Sequence, residues 1–158
     1  MIHDFDMARW LLAEEPTEVY ATASCLVDPD IALAGDVDTA MVILKTASGR
    51  LCQINNSRRA SYGYDQRIEV FGSSGMLRVE NETANRVECF DSNGVSTSKP
   101  LYFFLERYAE AYRLELQDFI SAIRSGSAPF VSGIDGLKSL RLANAAEESY
   151  RTGCSIRL

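Results

Sequence analysis

The fold is decided by a predicted hairpin in residues 38–57, which read DTAMVILKTASGRLCQINNS. Two runs rich in β-branched and apolar residues flank a short turn, Ala47-Ser48-Gly49. This pattern predicts two antiparallel strands, Asp38–Thr46 and Arg50–Ser57. The centre of the chain is therefore expected to be a β-sheet.

Further strands are predicted on both sides of this hairpin. The run Thr17–Val27 is rich in β-branched and small residues and ends at the breaker Asp28-Pro29-Asp30, after which a loop carries Gly35. Downstream, Ser73-Ser74-Gly75 and the segment Asp91–Gly94 read as turns between alternating segments. The predicted strands there are Arg67–Gly72, Met76–Glu80, Asn85–Phe90 and Val95–Ser98.

Helices are predicted at the two ends of the chain. The segment Ile2–Leu12 has an apolar face at helical spacing, and the segment Phe103–Arg124 contains neither Gly nor Pro while its apolar residues recur at three- and four-residue steps. A further helix opens at Ser132 or Asp135 and ends at Thr152-Gly153, leaving a short apolar tail. The apolar face of the first helix consists of Phe5, Ala8, Leu11 and Leu12.

This order of elements predicts an α+β domain, with an open, mainly antiparallel β-sheet and helices packed on one face. A length of 158 residues fits one domain. Because the helices cover one face of the sheet only, the other face is expected to bind a second copy of the chain.

Composition and charge exclude several classes of partner. A net charge of −6 leaves no basic stripe for a phosphate backbone, so nucleic acid is not expected to bind. No apolar run approaches the roughly 20 residues that cross a bilayer, and the N-terminus lacks the pattern of a signal peptide. We therefore expect a cytoplasmic protein without a membrane partner.

The sequence also argues against a metal or cofactor site in this chain. There is one histidine, and the four cysteines are widely spaced without a Cys-x-x-Cys pair, as expected for reduced core residues. No Gly-x-Gly-x-x-Gly, phosphate-binding Gly-Lys-Ser/Thr loop or nucleophile elbow is present. We expect no metal and no cofactor to bind here.

Two segments carry side chains that chemistry could use. His3-Asp4-Phe5-Asp6 opens the first helix, where acids at the positive end of the helix dipole are an ordinary structural feature. Residues 55–67 read NNSRRASYGYDQR. They form either a polar loop whose tyrosines cover the sheet edge or a lip for a polyhydroxyl ligand, to which amides, phenols and a carboxylate offer paired donors and acceptors. A loop position favours ligand binding.

Both segments resemble signatures of one family. The run Ile2–Trp10 is similar to the helix that carries the catalytic histidine in inositol 2-dehydrogenases and their relatives in the glucose-fructose oxidoreductase (Gfo/Idh/MocA) family. The run Tyr62–Gly72 resembles the central strand-loop-strand signature of the inositol dehydrogenase subgroup. The resemblance covers essentially the whole chain.

The resemblance implies a parent with two domains: a Rossmann domain that binds NAD or NADP, and a C-terminal substrate-binding and oligomerisation domain. Residues 1–158 correspond to the second domain only. The implied reaction oxidises a hydroxyl of myo-inositol or a related sugar or polyol to the ketone by hydride transfer. His3 would act as, or assist, the general base on that hydroxyl. Tyr62 would contact the substrate, with Tyr64 and Asp65 as second candidates.

The sequence departs from the family pattern at two places. The family aspartate that precedes the histidine by four residues would lie before Met1, and the first helix starts without a cap, which suggests an interrupted helix. The family lysine belongs to a Glu-Lys-Pro motif of the Rossmann domain, so Lys99 in Ser98-Lys99-Pro100 is interpreted as a surface residue.

We therefore expect the chain alone to be inactive. Its expected partners are the missing Rossmann domain, a small polyol or sugar, and further copies of itself in a dimer or tetramer. The alternative is a standalone oligomerisation module, or a module that binds a sugar-like ligand, without catalysis.

Overall fold

The computed structural model describes all residues from 1 to 158. The chain divides into two compact units. The first unit comprises residues 1–59 and 131–158, and the second comprises residues 60–130. The helices are α1 (Ile2–Leu12), α2 (Pro29–Leu33), α3 (Phe104–Arg107), α4 (Ala109–Ser125) and α5 (Gly133–Thr152). The strands are β1 (Pro16–Ser24), β2 (Thr39–Thr46), β3 (Leu51–Ser57), β4 (Ile68–Gly72), β5 (Gly75–Val79), β6 (Glu88–Asp91), β7 (Gly94–Thr97) and β8 (Ile156–Arg157).

The first unit is built on a four-stranded antiparallel sheet in the order β3-β2-β1-β8. The central hairpin pairs Val42 with Ile54, as its sequence predicts. At the turn, the Gly49 N–H donates to the Thr46 carbonyl over 3.0 Å, and Gly49 has a φ of 90°, which favours glycine.

The core of this unit lies between one face of the sheet and helices α1 and α5. Val19 and Leu44 are fully buried on the strands, and Phe5 of α1 and Leu142 of α5 pack onto them. The strands alternate buried and exposed residues, so the opposite face presents exposed apolar side chains. The predicted α+β architecture, an open antiparallel sheet with helices on one face, is confirmed. The exposed apolar residues of that opposite face are Tyr20, Met41, Ile43 and Leu51.

Strand β1 ends at Ser24, three residues earlier than predicted, because the backbone N–H groups that follow it bind the side chain of Asp38 and not a neighbouring strand. The Asp38 carboxylate accepts hydrogen bonds from the N–H groups of Leu26, Val27 and Asp28 at 2.7–3.0 Å. Although desolvation works to raise the pKa of Asp38, these N–H donors hold it well below its usual range.

Two short elements were not predicted. Helix α2 lies where a loop was expected, with the Asp28 carboxylate accepting from the Asp30 N–H as a cap and Pro29 in the first turn. The predicted apolar tail contains β8, in which Ile156 pairs with Val19. A two-residue strand has no periodicity of its own, so only its pairing partner defines it.

The second unit holds two hairpins, β4–β5 and β6–β7, each a separate two-stranded antiparallel sheet. Both pairings agree with the predicted turns. The predicted strands of the chain are thus divided among three antiparallel sheets.

The prediction of one continuous helix over residues 103–124 was wrong. The helix is interrupted at Tyr108, where φ is −107° and ψ is 11°, between α3 and α4. The Tyr108 hydroxyl donates to the Gln66 side chain over 2.6 Å, and its ring meets the Tyr64 ring edge-on at 5.5 Å. These contacts are distant in sequence, so periodicity could not reveal them.

The residues predicted to end α4 and to begin α5 are confirmed. Gly126 closes α4 with a φ of 65°, and Ser132 opens α5 in a reciprocal capping box with Asp135. None of the helices is long and apolar enough to cross a membrane.

Candidate functional site

The candidate catalytic residue His3 lies in the first turn of α1 and is exposed. Its imidazole makes no hydrogen bond or ion pair within the chain. The neighbouring Asp4 is half-buried and forms an ion pair with the Met1 ammonium at 3.4 Å. The Asn56 Nδ2 of strand β3 donates to the Asp4 carboxylate over 3.2 Å. An imidazole with both ring nitrogens unengaged can accept a proton from an external group.

Helix α1 is fixed at its other end by Arg9, which sequence reasoning missed. The Arg9 side chain is 7% exposed and donates two hydrogen bonds to Glu15, at 2.8 and 2.9 Å. It also donates to the Asp6 carboxylate and to both the carbonyl and the carboxylate of Asp135 in α5. Helical spacing could have predicted the burial of Arg9. It follows Phe5 by four residues and so lies on the same buried face of α1, where a charged side chain requires partners.

These contacts shift the titration of the groups involved. The hydrogen bonds from Arg9, assisted by Lys138, lower the pKa of Glu15 to about 2. In return, Glu15 raises the pKa of Arg9 above its already high usual value. Arg9 and Glu15 are therefore both charged near neutral pH, and the hydrogen bonds from Arg9 to Asp135 tie the helix that carries His3 to the start of α5.

The candidate binding residues lie in the second unit, in the segment we name the tyrosine loop (residues 60–67). Here the Tyr62 hydroxyl donates to the Asp65 carboxylate. Asp65 also accepts two hydrogen bonds from Arg67, at 2.8 and 3.0 Å, and one from the Asn81 side chain at 2.7 Å. The structure thus brings Tyr62 and Asp65 into direct contact. Each Asp65 oxygen has two donors, so its acceptor capacity is filled from within the chain.

The pKa values follow from this network. Arg67, followed by Tyr62 and Asn81, lowers the pKa of Asp65 to about 2. The bond to the Asp65 carboxylate raises the pKa of the Tyr62 phenol, which therefore stays protonated near neutral pH. Tyr62 remains 46% exposed, and its oxygen keeps lone pairs for a hydroxyl donor from a ligand.

Tyr64 is placed differently from Tyr62. It is half-buried, with its ring against Tyr108, and its backbone N–H donates to the Leu101 carbonyl over 2.8 Å. Its hydroxyl makes no hydrogen bond within the chain. Tyr64 therefore supports the loop with its ring while leaving one polar group unengaged.

Gly63 sets the shape of the tyrosine loop, and sequence reasoning gave it no role beyond joining the two tyrosines. Its φ is +145°, and a Cβ built on it would lie 2.7 Å from the Pro100 carbonyl oxygen. Only a residue without a side chain allows this approach. The loop thus packs against the segment that follows β7. Lys99 in this segment is exposed.

This chain does not fit a nicotinamide dinucleotide. A Rossmann-type dinucleotide site needs a parallel strand-helix-strand unit with a glycine-rich turn, whereas every strand pairing here is antiparallel. The two strand-to-helix connections, residues 25–28 and 98–103, contain no glycine. The chain also has no group of three or more His, Cys, Asp or Glu residues that could hold a metal ion, and its four cysteines are free.

Comparison with known proteins decides the family. The model of the oxidoreductase family, C-terminal alpha/beta domain (Gfo/Idh/MocA), matches residues 1–158. The chain belongs to this family. The predicted family is thereby confirmed, and the chain matches the C-terminal domain of these oxidoreductases.

Its relatives include inositol dehydrogenases. The myo-inositol 2-dehydrogenase of Thermotoga maritima is 52% identical over 157 residues, covering 99% of this chain and 47% of the relative. The inositol 2-dehydrogenase of Rhizobium meliloti is 54% identical over 149 residues, covering 94% and 45%. The chain thus spans about half the length of these curated relatives.

Solved structures agree with the fold. The crystal structure of a probable dehydrogenase from Thermotoga maritima matches with a TM-score of 0.96 at 52% identity, covering 99% of this chain and 47% of that one. The scyllo-inositol dehydrogenase from Lactobacillus casei, solved with bound NAD(H) and scyllo-inositol, matches with a TM-score of 0.89 at 26% identity, covering 99% and 46%.

Proposed function

We propose that this chain is the substrate-side domain of an NAD(P)-dependent oxidoreductase that oxidises one hydroxyl of myo-inositol or a related polyol to the ketone. The observation that carries the proposal is the match to two inositol dehydrogenases at 52% and 54% identity. The matches cover 99% and 94% of this chain but only 47% and 45% of the length of each relative. In this proposal a Rossmann domain outside the 158 residues binds the nicotinamide cofactor, which accepts the hydride.

His3 is proposed as the group that takes the proton from the substrate hydroxyl. An exposed imidazole without internal partners can meet that hydroxyl, and histidine is the side chain best suited to proton transfer near neutral pH. Removing the proton leaves an alkoxide, from which hydride departs more readily. His3 sits on a helix held by Arg9, so the base occupies a defined position.

Tyr62 and Tyr64 are proposed to bind the polyol. The exposed Tyr62 oxygen and the unengaged Tyr64 hydroxyl offer hydrogen bonds to neighbouring ring hydroxyls. Asp65 is proposed to act through Tyr62, because its own oxygens are filled. It orients the phenol through their hydrogen bond.

The domain alone is proposed to be inactive. Hydride transfer needs donor and acceptor carbons held almost in contact, and this chain contains no Rossmann-type unit to hold a dinucleotide. The open face of the β3-β2-β1-β8 sheet, with Tyr20, Met41, Ile43 and Leu51 exposed, is proposed to join copies into a dimer or tetramer.

A chimaera tests the proposal. The nucleotide-side half of the Thermotoga maritima relative is joined to this chain, and NADH formation with myo-inositol is followed by absorbance. We expect activity in the chimaera and none in the isolated chain. His3→Ala should lower kcat of the chimaera by about 10²–10⁴-fold, whereas Lys99→Ala at an exposed position should leave it unchanged.

Two results would contradict the proposal. Nicotinamide binding or turnover by the 158-residue chain alone would show that the cofactor site lies here. A folded chimaera that binds myo-inositol without oxidising it would favour the alternative, a module that holds a sugar-like ligand without catalysis.

A further inference from the structure

Asn56 occupies an unusual position on strand β3. It lies on the face that packs against α1, two residues after the buried Ile54, and its side chain reaches the first turn of α1. Its Nδ2 donates to the Asp4 carboxylate over 3.2 Å. This is the direct side-chain hydrogen bond between the sheet and the end of α1 that carries His3.

The other half of the Asn56 amide is not satisfied. Its Oδ1 is buried and has no hydrogen-bond partner. A buried polar atom without a partner costs free energy comparable to a lost hydrogen bond. An apolar side chain of similar size would avoid that cost, so packing alone does not explain an asparagine here.

The hydrogen bond from Asn56 to Asp4 acts close to the candidate catalytic residue. Asp4 is adjacent to His3 in the first helical turn, where the backbone N–H groups of Asp4 and Phe5 both share the Met1 carbonyl. Phe5 and Arg9 hold the buried face of α1, and the Asn56 contact adds a side-chain hydrogen bond at Asp4, the residue next to His3.

We propose that Asn56 is a positioning residue, which ties Asp4 to the sheet and so fixes the first turn of α1 with the His3 imidazole outward. The inference rests on the proposed role of His3 for its functional meaning. The free energy lost by burying Oδ1 without a partner is the cost of the hydrogen bond that Nδ2 makes to Asp4.

The test uses the 158-residue chain labelled for NMR, in which His3 is the single histidine and its ring signals need no assignment by mutation. Backbone order parameters are measured for residues 2–4 in the unchanged chain and in Asn56→Leu. We expect values near 0.85 to fall below about 0.6 in the variant, with shifted His3 ring signals. The melting temperature should stay equal or rise, because the buried unsatisfied oxygen is gone.

Two further variants separate positioning from packing. Asn144→Leu, the same substitution at an exposed position of α5, is the matched control and should change neither the order parameters nor the His3 signals. Combining Asp4→Asn with Asn56→Asp reverses donor and acceptor and should restore the order lost in Asn56→Leu.

Unchanged order parameters and His3 signals in Asn56→Leu would overturn the inference, and so would a large fall in melting temperature, which would mark Asn56 as a packing residue. An inactive chimaera would instead count against catalysis by His3 and would leave the NMR result standing. The two failures are therefore distinguishable.

Discussion

Replacing Arg9 by methionine should lower the free energy of unfolding. Methionine keeps the apolar length of the side chain and removes five donated hydrogen bonds. Breaking a buried ion pair by removing one partner typically costs about 3–5 kcal/mol. Glu15 and Asp6 are 49% and 45% exposed, so water regains access to them, and we expect a loss of about 2–3 kcal/mol in the free energy of unfolding.

The loss should depend on pH in a definite direction. In the unchanged chain the pKa of Glu15 is lowered from 4.5 to about 2, so the cluster stabilises the fold above pH 4.5 and this contribution disappears as the pH falls towards 2. In Arg9→Met the carboxylates of Glu15, Asp6 and Asp135 lose the guanidinium that they share, and Lys138 remains paired with Glu15 at 2.8 Å. Protonating them removes their repulsion. The difference in stability between the two proteins should therefore be largest near pH 7 and shrink on acidification.

Urea unfolding followed by circular dichroism at pH 7, 5 and 3 measures this difference. Arg141→Met is the matched control, because Arg141 is an exposed residue of α5, and it should stay within about 0.5 kcal/mol at every pH. A difference between Arg9→Met and the unchanged chain that grows on acidification would refute the charge argument. A loss below about 0.5 kcal/mol at pH 7 would refute the burial argument.

Three further predictions concern the core, the tyrosine loop and the open sheet face. Phe5→Ala should cost about 3–5 kcal/mol in urea unfolding, because its ring is 1% exposed, whereas Trp10→Ala on the exposed face of α1 should cost less than about 1 kcal/mol; equal losses would contradict the packing. Gly63→Ala should lower the melting temperature, because its Cβ would meet the Pro100 oxygen, while Gly136→Ala inside α5, with open space around it, should raise it; the same sign for both would count against this reasoning. Ile43→Lys should shift the mass found by sedimentation equilibrium towards the monomer, and an unchanged mass would place the contact elsewhere.

The elements that sequence could predict are those whose pattern is local. The central hairpin and α5 each combine a regular period with a turn or a capping residue, such as Gly49 and Ser132, so their positions follow from neighbouring residues alone. The end of β1 and the interruption before α4 depend on distant partners. Asp38 draws in the N–H groups of residues 26–28, and Tyr108 reaches Gln66 across 42 positions.

The candidate site divides in the same way. His3, Tyr62, Tyr64 and Asp65 came from a resemblance of short motifs, and their functional roles stay predictions. The structure adds contacts that a motif does not show. Donors from within the chain occupy the acceptor sites of the Asp65 carboxylate, and Arg9 and Asn56 make hydrogen bonds that hold the helix of His3. Burial of Arg9 could have been inferred from helical spacing, whereas the Asn56 contact needs the register between β3 and α1.

Since Gly63 has no room for even a methyl group against Pro100, the backbone of the tyrosine loop has little freedom to change in sequence or length at its centre. Under the proposed binding roles of Tyr62 and Tyr64, changes in ligand preference would then come from the flanking side chains at positions 62 and 64. A saturation library over this loop should accordingly return altered ligand preference from its two flanks and only glycine from the middle.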